Sequence, residues 1–189
     1  MASDNCRKDE HELLVGLRRG NYQAFDVLFD NHSRSVLNFL IHLGAKADEA
    51  DEGAQEVFTR LWEKRETVRT DVNLRPFLLA IARNWWINES KSARRRTGAL
   101  ASEEDLPETG ASPAENAEKR ELGAAVRAAV ERLPLDLREP FVQSRFHGLS
   151  YKEIGQVLGI SHRTVEERVA QAYEKLRREM TRLSGEKRK

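Results

Sequence analysis

Residues Gly148–Arg178 read "GLSYKEIGQVLGISHRTVEERVAQAYEKLRR", and their spacing predicts two helices joined by a sharp turn. Ser150 is a good N-cap, and Glu153 stands three residues on, where its carboxylate can reach back to the cap's own N–H. Ile154, Val157 and Leu158 recur at helical spacing and form the inner face of the first helix. Gly159 permits a tight turn, and Ile160 packs across it. Ser161 caps the second helix, whose Val165, Val169 and Ala172 face inward and whose Leu176 continues the seam. This arrangement is a helix-turn-helix, with the second helix shaped to enter a major groove. Its outward positions are His162, Arg163, Glu166, Glu167, Arg168 and Gln171. Arginine can read guanine, glutamine can read adenine, and glutamate can accept from cytosine. A packed helical hairpin with an ordinary solvated face would carry the same inner stripe.

Working outward, the pattern stays helical almost throughout the 189 residues. "DEHELLVGLRRGN" places Leu13, Leu14 and Leu17 on one face, with Gly20 as the stop and Asn21 as the next N-cap. Phe25, Leu28, Phe29, Val36, Leu37, Phe39, Leu40 and Leu43 supply a long apolar stripe. "GAKADEAD" (44–51) reads as a turn. "EVFTRLWEKRE" follows, with Val57, Phe58, Leu61 and Trp62 in phase. "TVRTDVNL" (67–74) reads as a loop, and a further helix starts near Pro76 and runs to about Arg96. Between Thr97 and Asn116 the periodicity stops, in a composition too poor in apolar residues to repay ordering. Val126, Val130 and Leu133 then mark a helix ended by Pro134, and another covers about 136–147. No strand and no repeat is visible. The fold class is all-α: two small helical domains, 9–97 and 118–183, joined by a flexible acidic linker, 98–117.

The net charge of +1 conceals blocks. Arg75, Arg83, Lys91, Arg94, Arg95 and Arg96 face only Glu89 between residues 75 and 98. Residues 99–121 hold seven acids against Lys119 and Arg120, and residues 175–189 hold seven basic residues against Glu179 and Glu186. Screening over about 8–10 Å lets such blocks act separately. Basic segments flanking an acidic one suit a nucleic-acid partner, although a basic block also serves as a plain solvated face. No apolar run approaches the roughly 20 residues of a membrane span, and the first residues lack a signal-peptide core, so a cytoplasmic location is the expectation. Cys6 is the only cysteine, which excludes an internal disulfide.

The helix-turn-helix segment resembles region 4 of bacterial sigma factors, the part that reads the −35 promoter element. "ELGAAVRAAVERLPLDLREPFVQSRFHGLS" is similar to the upstream helices of that region. Residues from "LLVGLRRGN" to "LWEKRE" resemble sigma region 2. "QEVFTRLW" (Gln55–Trp62) is similar to the segment that grips the polymerase clamp helices, and "RPFLLAIARNWWINESKSARRR" to the segments that melt and read the −10 element. The single linker and the chain length resemble the extracytoplasmic-function (ECF) subgroup. The resemblance covers about residues 9–180.

It implies three groups of site residues. Asp71, Asn73, Arg75, Arg83, Asn84, Trp86, Lys91, Arg94 and Arg95 would meet the −10 single strand. Ser161, His162, Arg163, Thr164, Glu166, Glu167, Arg168 and Gln171 would meet the −35 duplex. Glu52, Gln55, Glu56, Thr59 and Glu63 would meet polymerase, while Phe58, Leu61 and Trp62 go to the core. The loop holding Asp71 and Asn73 falls where the family places its pocket for a flipped base; as a bare sequence it also reads as a solvent loop. The partners implied are core RNA polymerase (β′ clamp helices and β flap), promoter DNA and an anti-sigma factor, without membrane insertion and without a cofactor.

Trp85 and Trp86 are adjacent, and successive helical side chains diverge by about 100°. Trp85 continues the stripe from Phe77 and Ile81 and belongs to the core. Trp86 lies beside Arg83, where it either stacks on unpaired bases or packs between helices. ECF members more often carry smaller residues there. Gly53 also departs from the family, which has an apolar residue at that position. A helical glycine costs about 1 kcal/mol relative to alanine, so that helix is expected to start late or to be loose. Pro140 replaces an aliphatic residue and should kink its helix or mark its first turn.

Two rival functions remain on the sequence alone. A duplex-binding regulator with a LuxR-like helix-turn-helix would need no polymerase, and a degenerate adaptor would bind polymerase without a promoter. An enzyme is not expected: no Gly-rich phosphate loop is present, and the five histidines lack ligand spacing or a nucleophile partner.

Overall fold

In the computed structural model, α1 (Ala2–Arg18) ends where Gly20 turns left-handed at φ 76°, a backbone region that costs glycine little. Asn21 then caps α2 (Tyr22–Leu43), its Oδ1 accepting from the N–H of Gln23 at 2.9 Å and of Ala24 at 3.4 Å. The structure describes residues 2–97, 123 and 126–186, with side chains for 10–92, 123 and 126–182. The acidic stretch 98–117 and the side chain of Cys6 lie outside these. The described residues form helices and turns, with no strand among them. They fall into two compact units, α1–α4 and the helices that follow.

In the first unit, α3 (Ala47–Glu63) starts earlier than the sequence suggested. Residues 47–51, read as turn, are its first turn, because Glu49 reaches back to accept from the N–H of Lys46 at 2.9 Å and Asp48 and Glu49 suit the positive end of the helix dipole. After a 3₁₀ turn at Arg65–Thr67, α4 spans Leu74–Thr97. It begins two residues before Pro76, since Asn73 Oδ1 accepts from the N–H of Arg75 at 3.0 Å and so caps it. Leu14, Leu17, Leu28, Phe39, Leu40, Val57, Phe58 and Leu61 are all buried. From α4 the core takes Leu74, Leu78, Leu79, Ala82 and Trp85.

Two readings of this unit are corrected. Phe77 and Ile81 are only half-buried. Trp85 therefore continues the Leu74–Leu78–Ala82 row, at i, i+4, i+8 and i+11, rather than theirs. Gly53 neither delays nor loosens α3, which runs unbroken through it. A Cβ built at Gly53 would stand 2.5 Å from Cζ3 of Trp85 and 2.7 Å from Cδ1 of Leu40. The missing side chain is the seat of the indole, and α3 and α4 pack together there.

The second unit comprises α5 (126–131), α6 (Leu135–Arg145), α7 (Tyr151–Leu158) and α8 (His162–Glu186). Arg138 on α6 donates to the carbonyls of Glu131 and Leu133, closing the C-terminal end of α5 onto α6; burial pushes its guanidinium pKa down from the ordinary value. Pro140 sits in the interior of α6, past the first turn. There it removes the N–H that would bond the carbonyl of Asp136, and the helix continues through it. α6 and α7 both pack on α8, around Val130, Leu133, Leu137, Phe141, Val142, Ile154, Val165, Val169 and Ala172.

Candidate nucleic-acid and polymerase interfaces

Ser150 Oγ accepts from the N–H of Glu153 at 3.3 Å, while Glu153 Oε2 accepts from the N–H of Ser150 at 2.8 Å. That capping box starts α7, and Gly159 ends it at φ 69°. Ser161 Oγ accepts from the N–H of Thr164 at 3.0 Å and sits 2.8 Å from its Oγ1. These hydrogen bonds start α8. His162, Arg163, Glu166, Glu167 and Gln171 are exposed, and Arg168 is half-buried. Arg163 Nε lies 3.2 Å from Glu167 Oε1. Such a solvated pair contributes little, so the guanidinium is free to exchange it for another acceptor.

In the first unit, the α3 positions Glu52, Gln55, Thr59 and Glu63 are exposed and Glu56 is half-buried. They recur at helical spacing on one side, opposite buried Val57, Phe58 and Leu61. Thr59 Oγ1 donates to the Gln55 carbonyl at 2.9 Å, and Glu56 pairs with Arg60 at 2.7 Å. Trp62 is not fully core as expected: it is half-buried, stacked on Tyr22 at 4.4 Å, with Arg65 4.9 Å over its ring.

On α4, Asn84 and Lys91 are exposed, while Arg75, Arg83 and Trp86 are half-buried. The two tryptophans divide as their spacing requires: Trp85 is 9% exposed and Trp86 reaches the surface beside Arg83. Arg94 and Arg95 lie on the helical backbone of α4, and their side chains are outside the described residues.

The loop ahead of α4 is organised. Val68 is buried beneath it. Arg69 grips Asp71 with two hydrogen bonds, Nε to Oδ1 at 3.1 Å and Nη2 to Oδ2 at 2.7 Å. His11, on α1, has Nδ1 2.7 Å from the Thr70 carbonyl. Asp71 and Asn73 are both exposed, and Asn73 also serves as the α4 cap. The Arg69 hydrogen bonds hold the Asp71 carboxyl below its ordinary pKa. A lowered carboxylate is fully ionised above its unfolded value and loses the interaction only as pH falls through the folded one. The fork therefore weakens only as pH falls below the usual carboxylate range. An NMR titration of the Asp71 carboxyl should place its midpoint below the usual aspartate range, and Arg69→Gln should raise it toward that range.

The family comparisons match these two units in order. Residues 28–96 match the Sigma-70 region 2 family and residues 123–176 match Sigma-70, region 4. The chain belongs to the sigma-70 family, as an ECF-type sigma factor. RNA polymerase sigma factor CarQ of Myxococcus xanthus is 32% identical over 160 residues, covering 85% of this chain and 91% of that protein. ECF RNA polymerase sigma factor RpoE of Cereibacter sphaeroides is 27% identical over 186 residues, covering 96% of this chain and 100% of that one. The fold is also that of the sigma factor RpoE from Bartonella quintana, solved in complex with the anti-sigma factor NepR. The TM-score is 0.71 at 20% identity, over 83% of this chain and 96% of that one.

For a sigma factor, the α1 contact is the least anticipated feature of this loop. His11 falls outside the residues that match region 2, and nothing in its local sequence points to a partner 59 residues away. Arg69 carried a usable signal, a cation two residues from Asp71 in a loop. No helix among the described residues is long and apolar enough to cross a membrane.

Proposed function

We propose that this sigma factor binds core RNA polymerase, directs it to promoters with −35 and −10 elements and promotes melting, acting in the cytoplasm beside the polymerase. The observation that carries this reading is the succession, in one chain, of a region 2 and a region 4 match, each with its polar row outward. In this assignment residues 9–97 bind polymerase and the −10 strand, 98–117 link, and 118–183 read −35. Glu52, Gln55, Glu56, Thr59 and Glu63 meet the clamp helices of β′, and the second unit meets the β flap. The outward positions of α8, from His162 to Gln171, enter the major groove. Arg83, Lys91, Arg94 and Arg95 hold phosphates of the unpaired strand, and Asp71 and Asn73 border a flipped base. An anti-sigma factor covering these faces is the expected regulator, as one is present in the complex of the Bartonella quintana relative.

Capture of unpaired bases couples binding to melting, because each stacked base offsets part of the unpairing cost. Trp86→Ala should therefore slow open-complex formation by roughly 5- to 150-fold, matching about 1–3 kcal/mol of stacking. Trp86→Phe should recover most of it, with −35 binding unchanged; permanganate footprinting of unpaired thymines reads both. The function is tested by run-off transcription: the protein with core polymerase on a pool of promoter fragments, with the RNA sequenced. Discrete starts sharing −35 and −10 elements support it. Polymerase binding without initiation leaves an adaptor, and binding to duplex DNA alone leaves a simple regulator.

A further inference from the structure

We propose that His11 is a positioning residue for the −10 loop, so that α1 takes part in reading the unpaired strand. The inference rests on the assignment of residues 68–73 to a flipped base. Its basis is where the ring attaches. A carbonyl oxygen only accepts, so the 2.7 Å contact between His11 Nδ1 and the Thr70 oxygen fixes a proton on Nδ1. Either the neutral tautomer with that proton or the imidazolium supplies it. Thr70 lies between Arg69 and Asp71, the two arms of the fork. The bond therefore holds the peptide at the apex of the loop.

Further anchors lie at the loop's ends: buried Val68 on one side and the Asn73 cap of α4 on the other. Removing the apex bond takes away the hydrogen bond that ties the middle of the loop to α1. α1 is itself held at the same level. Glu10, the neighbour of His11, accepts from Nε2 of His32 at 3.0 Å, and His32 is buried on α2. Side chains that follow the apex, Asp71 and Val72, are exposed, Val72 to 41%. A carboxylate beside an apolar face is thus offered outward from a backbone that α1 keeps in place.

The test uses the full chain with core polymerase on an initiating promoter whose −10 bases are varied one at a time. Wild type, His11→Ala and His11→Asn are compared; the asparagine amide nitrogen occupies the place of Nδ1. One hydrogen bond of ordinary strength implies about a 2- to 10-fold effect. His11→Ala should reduce base discrimination by that factor at a single −10 position and speed amide exchange at residues 70–72. Affinity for polymerase and preference at −35 should stay as they are, and His11→Asn should restore both readouts. Equal loss at every −10 position together with a lower Tm would reduce His11 to a stabilising contact and overturn the proposal. So would unchanged discrimination in His11→Ala. A wild-type protein that binds polymerase and initiates nowhere would instead remove the sigma reading on which the proposal stands.

Discussion

Gly53→Ala is expected to destabilise the first unit, although alanine is the better helix former. The propensity gain is about 1 kcal/mol. Against it stands a Cβ 2.5 Å from Cζ3 and 2.7 Å from Cε3 of Trp85, and 2.7 Å from Leu40 Cδ1. Leu40 can turn its methyl aside, but the indole is a rigid plate in a buried site and can retreat only by moving α4. Overpacking of this kind costs typically 1–3 kcal/mol, occasionally more, and the contact is closer than packed carbons tolerate. A net loss of about 1–2 kcal/mol should lower the melting temperature of this unit by roughly 5–15 °C. The decisive comparison is a double-mutant cycle with Trp85→Leu. Alone, that substitution opens a cavity over Gly53; combined with Gly53→Ala, the two should be less damaging than their sum, because residues in contact couple by about 0.5–3 kcal/mol. A Gly53→Ala melting temperature at or above wild type would show that the indole is not seated there. The functional consequence follows from the position of the pair. α3 carries the proposed polymerase face and α4 the proposed strand-capturing face, so shifting α4 off α3 should weaken −10 capture more than polymerase affinity.

The same pair shows what the sequence could and could not disclose. Several caps and turns were readable because both partners lie within a few residues: Asn21 over Gln23, the Ser150–Glu153 box, Gly159 at its left-handed turn; the equally local Glu49 and Asn73 caps were hidden by the turn and loop composition around them. The buried face of α8 was readable because Val165, Val169 and Ala172 recur in phase. On α4 two apolar rows compete. Leu74–Leu78–Ala82 and Phe77–Ile81 both lead to Trp85, and only the position of α3 decides which is covered. Gly53 and the adjacent tryptophans stood as two separate oddities in the sequence. In the structure Gly53 and Trp85 face each other across one helix pair. His11 and Thr70 are farther apart still, and no periodicity links an exposed histidine on one helix to a carbonyl in a loop.

Gly155→Val should uncouple the second unit from −35 DNA while leaving polymerase binding through the first unit in place. A Cβ at Gly155 would lie 2.8 Å from the carbonyl oxygen of Ile160, with the N–H of His162 at 3.6 Å. Unlike the neighbours of Gly53, these are backbone atoms of the turn itself, and they cannot rotate away. Ile160 N–H also donates to the Gly155 carbonyl at 3.0 Å, so the turn is folded directly onto this residue. Alanine would require the turn to give by a few tenths of an ångström. Valine adds two methyl groups with little rotamer freedom in a helix and must drive α7 away from the start of α8. A cost of about 2–3 kcal/mol is expected from overpacking alone. The geometric effect matters more for function, because Arg163, Glu166 and Gln171 keep their places on α8 while the helix that braces it shifts. Duplex binding to a −35 fragment should fall at least about 10-fold, equivalent to 1.4 kcal/mol, with Gly155→Ala intermediate. Co-purification with core polymerase should persist in both. If Gly155→Val binds the −35 duplex as the wild type does, the packing of α7 onto the turn does not set the attitude of the recognition helix, and the reading face would have to be held by the α6–α8 contact alone.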